Sequence, residues 1–119
     1  MLERRPWATF APPPTDGSFA EQLSQLVVAP DGCSLDAEGH IWAADALGNR
    51  AVRVAPGGEV VEEIPGPEGL GVYACQLGGD AGTTLLLCCA PDFFEHNRAT
   101  AREAVLLTTT VEVPGAGRP

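Results

Sequence analysis

PDGCSLDAEGHIWAADALGNRAVRV, Pro30 to Val54, contains three short apolar segments, Cys33 to Leu35, Ile41 to Ala44 and Ala51 to Val54. They are separated by Asp36-Ala37-Glu38-Gly39 and Leu47-Gly48-Asn49, whose glycine and Asn/Asp chemistry reverses a chain between strands. This pattern predicts an antiparallel meander. Asp31, in the Pro-Asp-Gly corner, stands at the entrance to its first strand.

Downstream, Pro56-Gly57-Gly58 reads as a hairpin turn and Val60 to Ile64 as a fourth strand, so that residues 31–64 make one four-stranded unit. The pattern then restarts. Pro67-Glu68-Gly69 repeats the first corner, Tyr73 to Leu77 the first strand, and Gly79-Asp80-Ala81-Gly82 the first turn. Leu85 to Ala90 and Ala104 to Val113 supply two more strands of a unit over 67–113. No fourth strand follows, because the proline- and glycine-rich run from Pro114 to Pro119 cannot pair as one. A repeated meander predicts a radial, propeller-like architecture.

Upstream, Arg5 to Phe10 reads as a lone strand, cut off by Ala11-Pro12-Pro13-Pro14-Thr15-Asp16-Gly17, since proline lacks a backbone donor. Its expected place is the outermost strand of a preceding blade, 5–10, or the missing outer strand of the last one. Ser18 is a candidate N-cap for one short helix over Phe19 to Leu26, with Glu21 in its first turn. The expectation is an all-β chain, 1–119, forming part of a β-propeller, with a blade taking roughly 40 to 50 residues. At 119 residues it supplies two to three blades. Such an arc cannot close by itself, and its open edges are expected to recruit further copies unless the chain is a fragment of a longer one.

A formal net charge of −9 and only 7 Lys and Arg residues argue against nucleic acid as a partner, because phosphate backbones are bound through clustered cations. No segment approaches the length of a membrane span, and no leader-like run begins the chain, so the expectation is a cytoplasmic protein without a membrane partner. The four cysteines, Cys33, Cys75, Cys88 and Cys89, fall in apolar segments without metal-ligand spacing and are expected to be small buried thiols.

The connections of a meander alternate between two ends. Asp31, Asp45 to Asn49, Pro65 to Gly69 and the insert Pro91 to Glu103 share one end, with Asp36 to Gly39 and Pro56 to Gly58 opposite. In a propeller the first strand is innermost, which places Asp31 beside the axis. An oxygen ligand there suits a hard divalent cation; the alternative is a turn aspartate capping its own backbone. Glu68 holds the repeat-equivalent corner, and Asp45 and Asn49 are expected to shape their turn. The insert is long for a hairpin and carries Phe93, Phe94 and His96, which suits a lid or binding loop. His96 shows no orienting partner that would make it a base, and His40 lies at the opposite end.

The spaced run PDGxxxDAEGxxWxAxxxGNxxxRV, with Leu77-Gly78-Gly79-Asp80 and Ala90-Pro91-Asp92-Phe93 after it, resembles the C-terminal part of the SMP-30/gluconolactonase/LRE-like (regucalcin) family. The resemblance runs from about Trp7 to the C-terminal proline. It implies a six-bladed β-propeller with one divalent metal on its axis, calcium first, with zinc or magnesium as alternatives. It also implies hydrolysis of a small-molecule lactone or related ester, with Asp31 as metal ligand and general base. The family's two other protein ligands, a Glu and an Asn from earlier in the chain, have no counterpart here. A non-catalytic binding or assembly module is therefore the competing reading.

Overall fold

The computed structural model describes residues 3–117. A four-stranded antiparallel sheet is built in chain order from β1 (Pro30–Leu35), β2 (Ile41–Asp45), β3 (Arg50–Val54) and β4 (Val60–Pro65). A three-stranded sheet follows from β5 (Gly71–Gly78), β6 (Thr84–Ala90) and β7 (Val105–Thr110). The anticipated meanders form, and the turn chemistry acts as anticipated: Asn49 adopts φ 52°, the left-handed conformation that Asn tolerates better than most residues. Helix α1 (Phe19–Ser24) starts where Ser18 predicts, with Glu21 N–H donating to Ser18 Oγ and Ser18 N–H to Glu21 Oε2, a reciprocal cap. It stops two residues short of the expected Leu26. A second, one-turn helix, α2 (Glu95–Arg98), lies in the long insert.

Alternating residues of the two sheets meet in one core layer. Trp42, Ala44 and Ala51 of the first sheet pack on Val72, Cys75, Leu77, Leu85, Leu87 and Cys89 of the second. The inner strands β1 and β5 run side by side. A Cβ at Gly32 would come within 2.9 Å of the Ala74 Cα, so the close approach of the blades requires glycine there. Ser34 Oγ accepts from Leu77 N–H at 3.2 Å and from Gln76 Nε2 at 3.3 Å, joining the same two strands through a buried hydroxyl.

Two expectations need correction. Residues 5–10 do not supply the missing outer strand of the last blade. Only Ala8 makes a bridge, to Gly57 in the β3–β4 turn, and Ala8 and Phe10 pack on Val28, Ala43, Val52 and Val54 over the outer face of the first sheet. The segment therefore covers the first blade rather than completing the last. The C-terminal run forms, as expected, no fourth strand of the second sheet among the described residues, and its backbone ties the two sheets together. Ala37 N–H donates to Pro114 O at 2.8 Å, Ala116 N–H to Leu35 O at 3.0 Å and Gly115 N–H to Gly82 O at 2.9 Å. Finally, Cys33 is exposed rather than buried. Cys75 fits the expectation: burial pushes its thiol up to about 12, with nearby Cys33 and Cys88 adding to the rise.

Candidate functional site

Backbone hydrogen bonds gather the loops expected to share one end. Ala46 N–H donates to Ala29 O at 2.9 Å, and Gly66 N–H to Asn49 O at 2.8 Å. Asp45 locks this end: Oδ1 accepts from Ala29 N–H at 2.9 Å and Gly48 N–H at 3.2 Å, and Oδ2 from Arg50 Nε at 2.8 Å. Its carboxylate is buried and fully engaged, so it shapes the turn. At the opposite end Asp36 plays the matching part, with Glu38 N–H and His40 N–H on Oδ1 at 2.9 and 3.0 Å and Arg53 Nε on Oδ2 at 2.7 Å.

Asp31 belongs to neither network. The β1–β2 register shifts between Pro30 and Cys33, and this bulge leaves Asp31 without a paired residue on β2, the irregularity by which a strand re-aims a side chain. The same irregularity recurs in β5 between Val72 and Ala74, so the structural counterpart of the Asp31 bulge contains Tyr73. Glu68, the counterpart expected from the repeat, lies exposed in the turn before β5. The pattern Pro-x-Gly matched two corners, but only one of them lies inside a strand.

Asp31 and Tyr73 open onto a groove of about 500 Å³ that Phe93 closes on the same side, while Phe19, Leu23 and Leu26 wall the other. The insert delivers Phe93. Asp92 accepts from Phe94 N–H at 3.0 Å, Asn97 Nδ2 at 2.9 Å and Arg98 Nε at 3.2 Å, fixing the loop so that the Phe93 ring meets Tyr73 edge-on at 6.3 Å. Burial alone would raise the Asp92 carboxyl, yet these donors hold it below its ordinary value. The Tyr73 phenol is pushed above its ordinary value by burial first and by Asp92 and Asp31, with Arg98 opposing; it is a neutral hydroxyl at physiological pH. His96 stacks on Phe94 and does not line the groove, and His40 lies at the opposite end beside Asp36.

Among the described residues, no three of His, Cys, Asp and Glu converge to hold a metal ion. Asp31 is a single carboxylate donor, whereas calcium takes roughly six to eight oxygens. The donor set of this chain alone does not make a resident metal site. Among the described residues, no helix is long and apolar enough to cross a membrane.

The sequence model of the SMP-30/Gluconolactonase/LRE-like region matches residues 2–90. The chain belongs to the SMP-30/gluconolactonase/LRE-like family. The family match ends with β6, so the insert carrying Phe93 and the whole of β7 lie outside it, a narrower reach than the sequence reading expects. A 6-deoxy-6-sulfogluconolactonase of Pseudomonas putida is 30% identical over 96 residues, covering 76% of this chain and 31% of that protein. Two solved structures share the propeller-type fold. A luciferin-regenerating enzyme has TM-score 0.57 at 24% identity, over 72% of this chain and 29% of its own. Regucalcin, a calcium-binding protein of Agrobacterium tumefaciens, has TM-score 0.55 at 20% identity, over 79% and 32%. The chain thus spans about a third of the length of these relatives.

Sequence reasoning missed Tyr73 and Phe93 as partners of Asp31. A single extra residue in β5 turns Tyr73 toward the groove, and a bulge has no composition signature. It also missed the Asp36–Arg53 pair. The available signal was two arginines, Arg50 and Arg53, in a strand whose other members are apolar.

Proposed function

We propose that the protein is a metal-dependent hydrolase of sugar lactones or related esters, to which this chain contributes two blades and one reacting group, Asp31. The observation that carries this reading is the Asp31 carboxylate, freed by a bulge and open to a ligand-sized groove, in a chain of the gluconolactonase family. Asp31 takes the proton of the attacking water, and the Tyr73 hydroxyl is placed to hydrogen-bond a substrate oxygen. A divalent cation, calcium with zinc and magnesium as alternatives, would supply Lewis acidity at the lactone carbonyl when bound, with Asp31 one of its ligands and the others from outside this chain. Lactone hydrolysis measured with each of the three ions, on this chain and on a form extended with the missing blades, tests the reading. Activity in the extended form alone is expected; no hydrolysis by either form with any ion would overturn it.

A second reading, an assembly module, is favoured by the edge of the second sheet. Among the described residues β7 pairs only with β6, and Leu106 on it is 70% exposed, beside a partly covered Leu86 and Cys88 on the same face. An unpaired apolar edge recruits other chains. The isolated chain is expected to sediment with a concentration-dependent mass, and Leu106→Lys to shift it toward monomer. A wild-type chain that stays monomeric over the whole concentration range would remove this reading.

A further inference from the structure

The two faces of the first sheet are covered differently. One carries Trp42, Ala44 and Ala51 and packs on the second sheet. The other is made by the rows Cys33–Ala43–Val52 and Leu35–Ile41–Val54, because residues opposite one another in a ladder point to the same side. Its outer half, on β3, is buried, with Ala8 and Phe10 packed over Val52 and Val54. Its inner half, on β1, is open: Cys33 is exposed and Leu35 is 47% exposed. Residues 5–10 thus cover as much of this face as the outermost strand of an adjoining sheet would, and leave the rows nearer β1 uncovered. The second sheet has the complementary shape. Among the described residues it has three strands and no fourth beside β7, and its face away from the core carries Leu86, Cys88 and Leu106. Among the described residues the one backbone hydrogen bond of the 5–10 segment runs from Gly57 N–H to Trp7 O at 3.0 Å, so the segment has donors and acceptors to spare for a ladder. Each of the three relatives compared is about three times as long as this chain, so three copies match the length of one propeller-type molecule.

We propose that three copies of this chain close head to tail into one ring. The open face of each second sheet, with Leu86, Cys88 and Leu106, docks on Cys33 and Leu35 of the next copy, and residues 5–10 of that next copy pair with β7 as its fourth strand. The joint unites two different surfaces, so it is heterologous and closes only if the rotation between copies completes a circle. It repeats between copies the sheet-on-sheet stacking that the two sheets make within the chain, and it removes the unpaired edge. The inference rests on the assembly reading for self-association; the head-to-tail order, the number of copies and the strand pairing go beyond it.

Sedimentation equilibrium reads the number of copies, and two single variants read their order. The wild-type chain is expected to follow one monomer–trimer equilibrium. Leu106→Lys damages the docking face alone and Leu35→Lys the receiving face alone. Each is expected to weaken association at least about thirtyfold, the effect of spoiling a central interface residue. A one-to-one mixture of the two variants keeps one intact joint and is expected to give a heterodimer that neither forms by itself. Both leucine side chains are exposed, so both variants keep the fold, which far-ultraviolet dichroism verifies. Amide exchange reads the strand pairing: the β7 amides not bonded to β6, and those of residues 7–10, are expected to slow at least about tenfold on assembly. A wild-type dimer, an open-ended series of masses, a Leu35→Lys chain that associates like wild type, or a mixture of variants that stays monomeric overturns the proposal and leaves the assembly reading standing. A trimer whose β7 amides exchange as fast as those of the monomer overturns the strand pairing. A wild-type chain that is monomeric throughout removes the proposal and the assembly reading together.

Discussion

Arg53→Met is expected to lower the unfolding free energy by about 3 to 5 kcal/mol, the usual cost of stranding one member of a buried ion pair. Arg53 and Asp36 are 8% and 0% exposed in their side chains and meet at 2.7 Å. Methionine keeps most of the stem, which stands opposite Trp42 in the β2–β3 ladder, and removes the guanidinium, leaving the Asp36 carboxylate two backbone donors and no counter-charge. Arg53 also reaches Glu38 at 3.1 Å and Glu62 at 3.3 Å, but those partners are half exposed and add little. Arg50→Met is the milder comparison, because Arg50 is 23% exposed against 8% for Arg53, so its pair with Asp45 is the better solvated of the two. Urea unfolding followed by far-ultraviolet dichroism checks both; equal losses for the two variants would show that burial of the pair is not what matters.

The same pair sets a pH dependence. Burial alone would raise the Asp36 carboxyl, but the Arg53 hydrogen bond and the His40 and Glu38 amides outweigh it and bring it below the ordinary value of 3.8. A depressed folded value contributes stability that is complete above 3.8 and is lost as pH falls through the folded value. The difference between wild type and Arg53→Met is therefore expected to be constant near neutrality and to shrink on acidification below that point.

The meander was legible because its turns are written in Asp, Asn and Gly and its strands in alternating apolar residues, so that β2, β3, β4 and β6 fall within a residue or two of where the sequence places them. Residues 5–10 do not complete the last blade because strand-like composition does not specify a partner, and Ala8 and Phe10 instead pack on Val28, Ala43, Val52 and Val54. The C-terminal run adds no fourth strand, as its prolines and glycines imply, because proline cannot donate to a ladder, but the carbonyl of Pro114 still accepts from Ala37. At the candidate site the sequence located the carboxylate and the end of the blades. It could not show the groove, which depends on one bulged residue in β5 and on how Asp92 folds the insert.

Asp31→Ala is expected to remove lactone hydrolysis from a protein whose remaining blades complete the ring, with a fall in kcat/KM of at least about a hundredfold and up to about ten-thousandfold, the range lost with a positioned general base. The side chain is exposed and makes no hydrogen bond within the described protein residues, unlike Asp36 and Asp45, so its removal is expected to leave the unfolding midpoint unchanged and the loss is chemical. Asp31→Asn separates shape from charge: it keeps the bulge and the volume but neither binds a proton nor offers a cation a full negative charge, and it is expected to be as inactive as the alanine variant. His96→Ala is expected to keep most of the activity, since His96 stacks on Phe94 away from the groove. Tyr73→Phe is intermediate, because it removes one hydrogen bond and leaves the aromatic wall standing. Full activity in Asp31→Ala would sink the mechanism outright, whereas full activity in Asp31→Asn alone would mean that the carboxylate orients the substrate without acting as base or ligand.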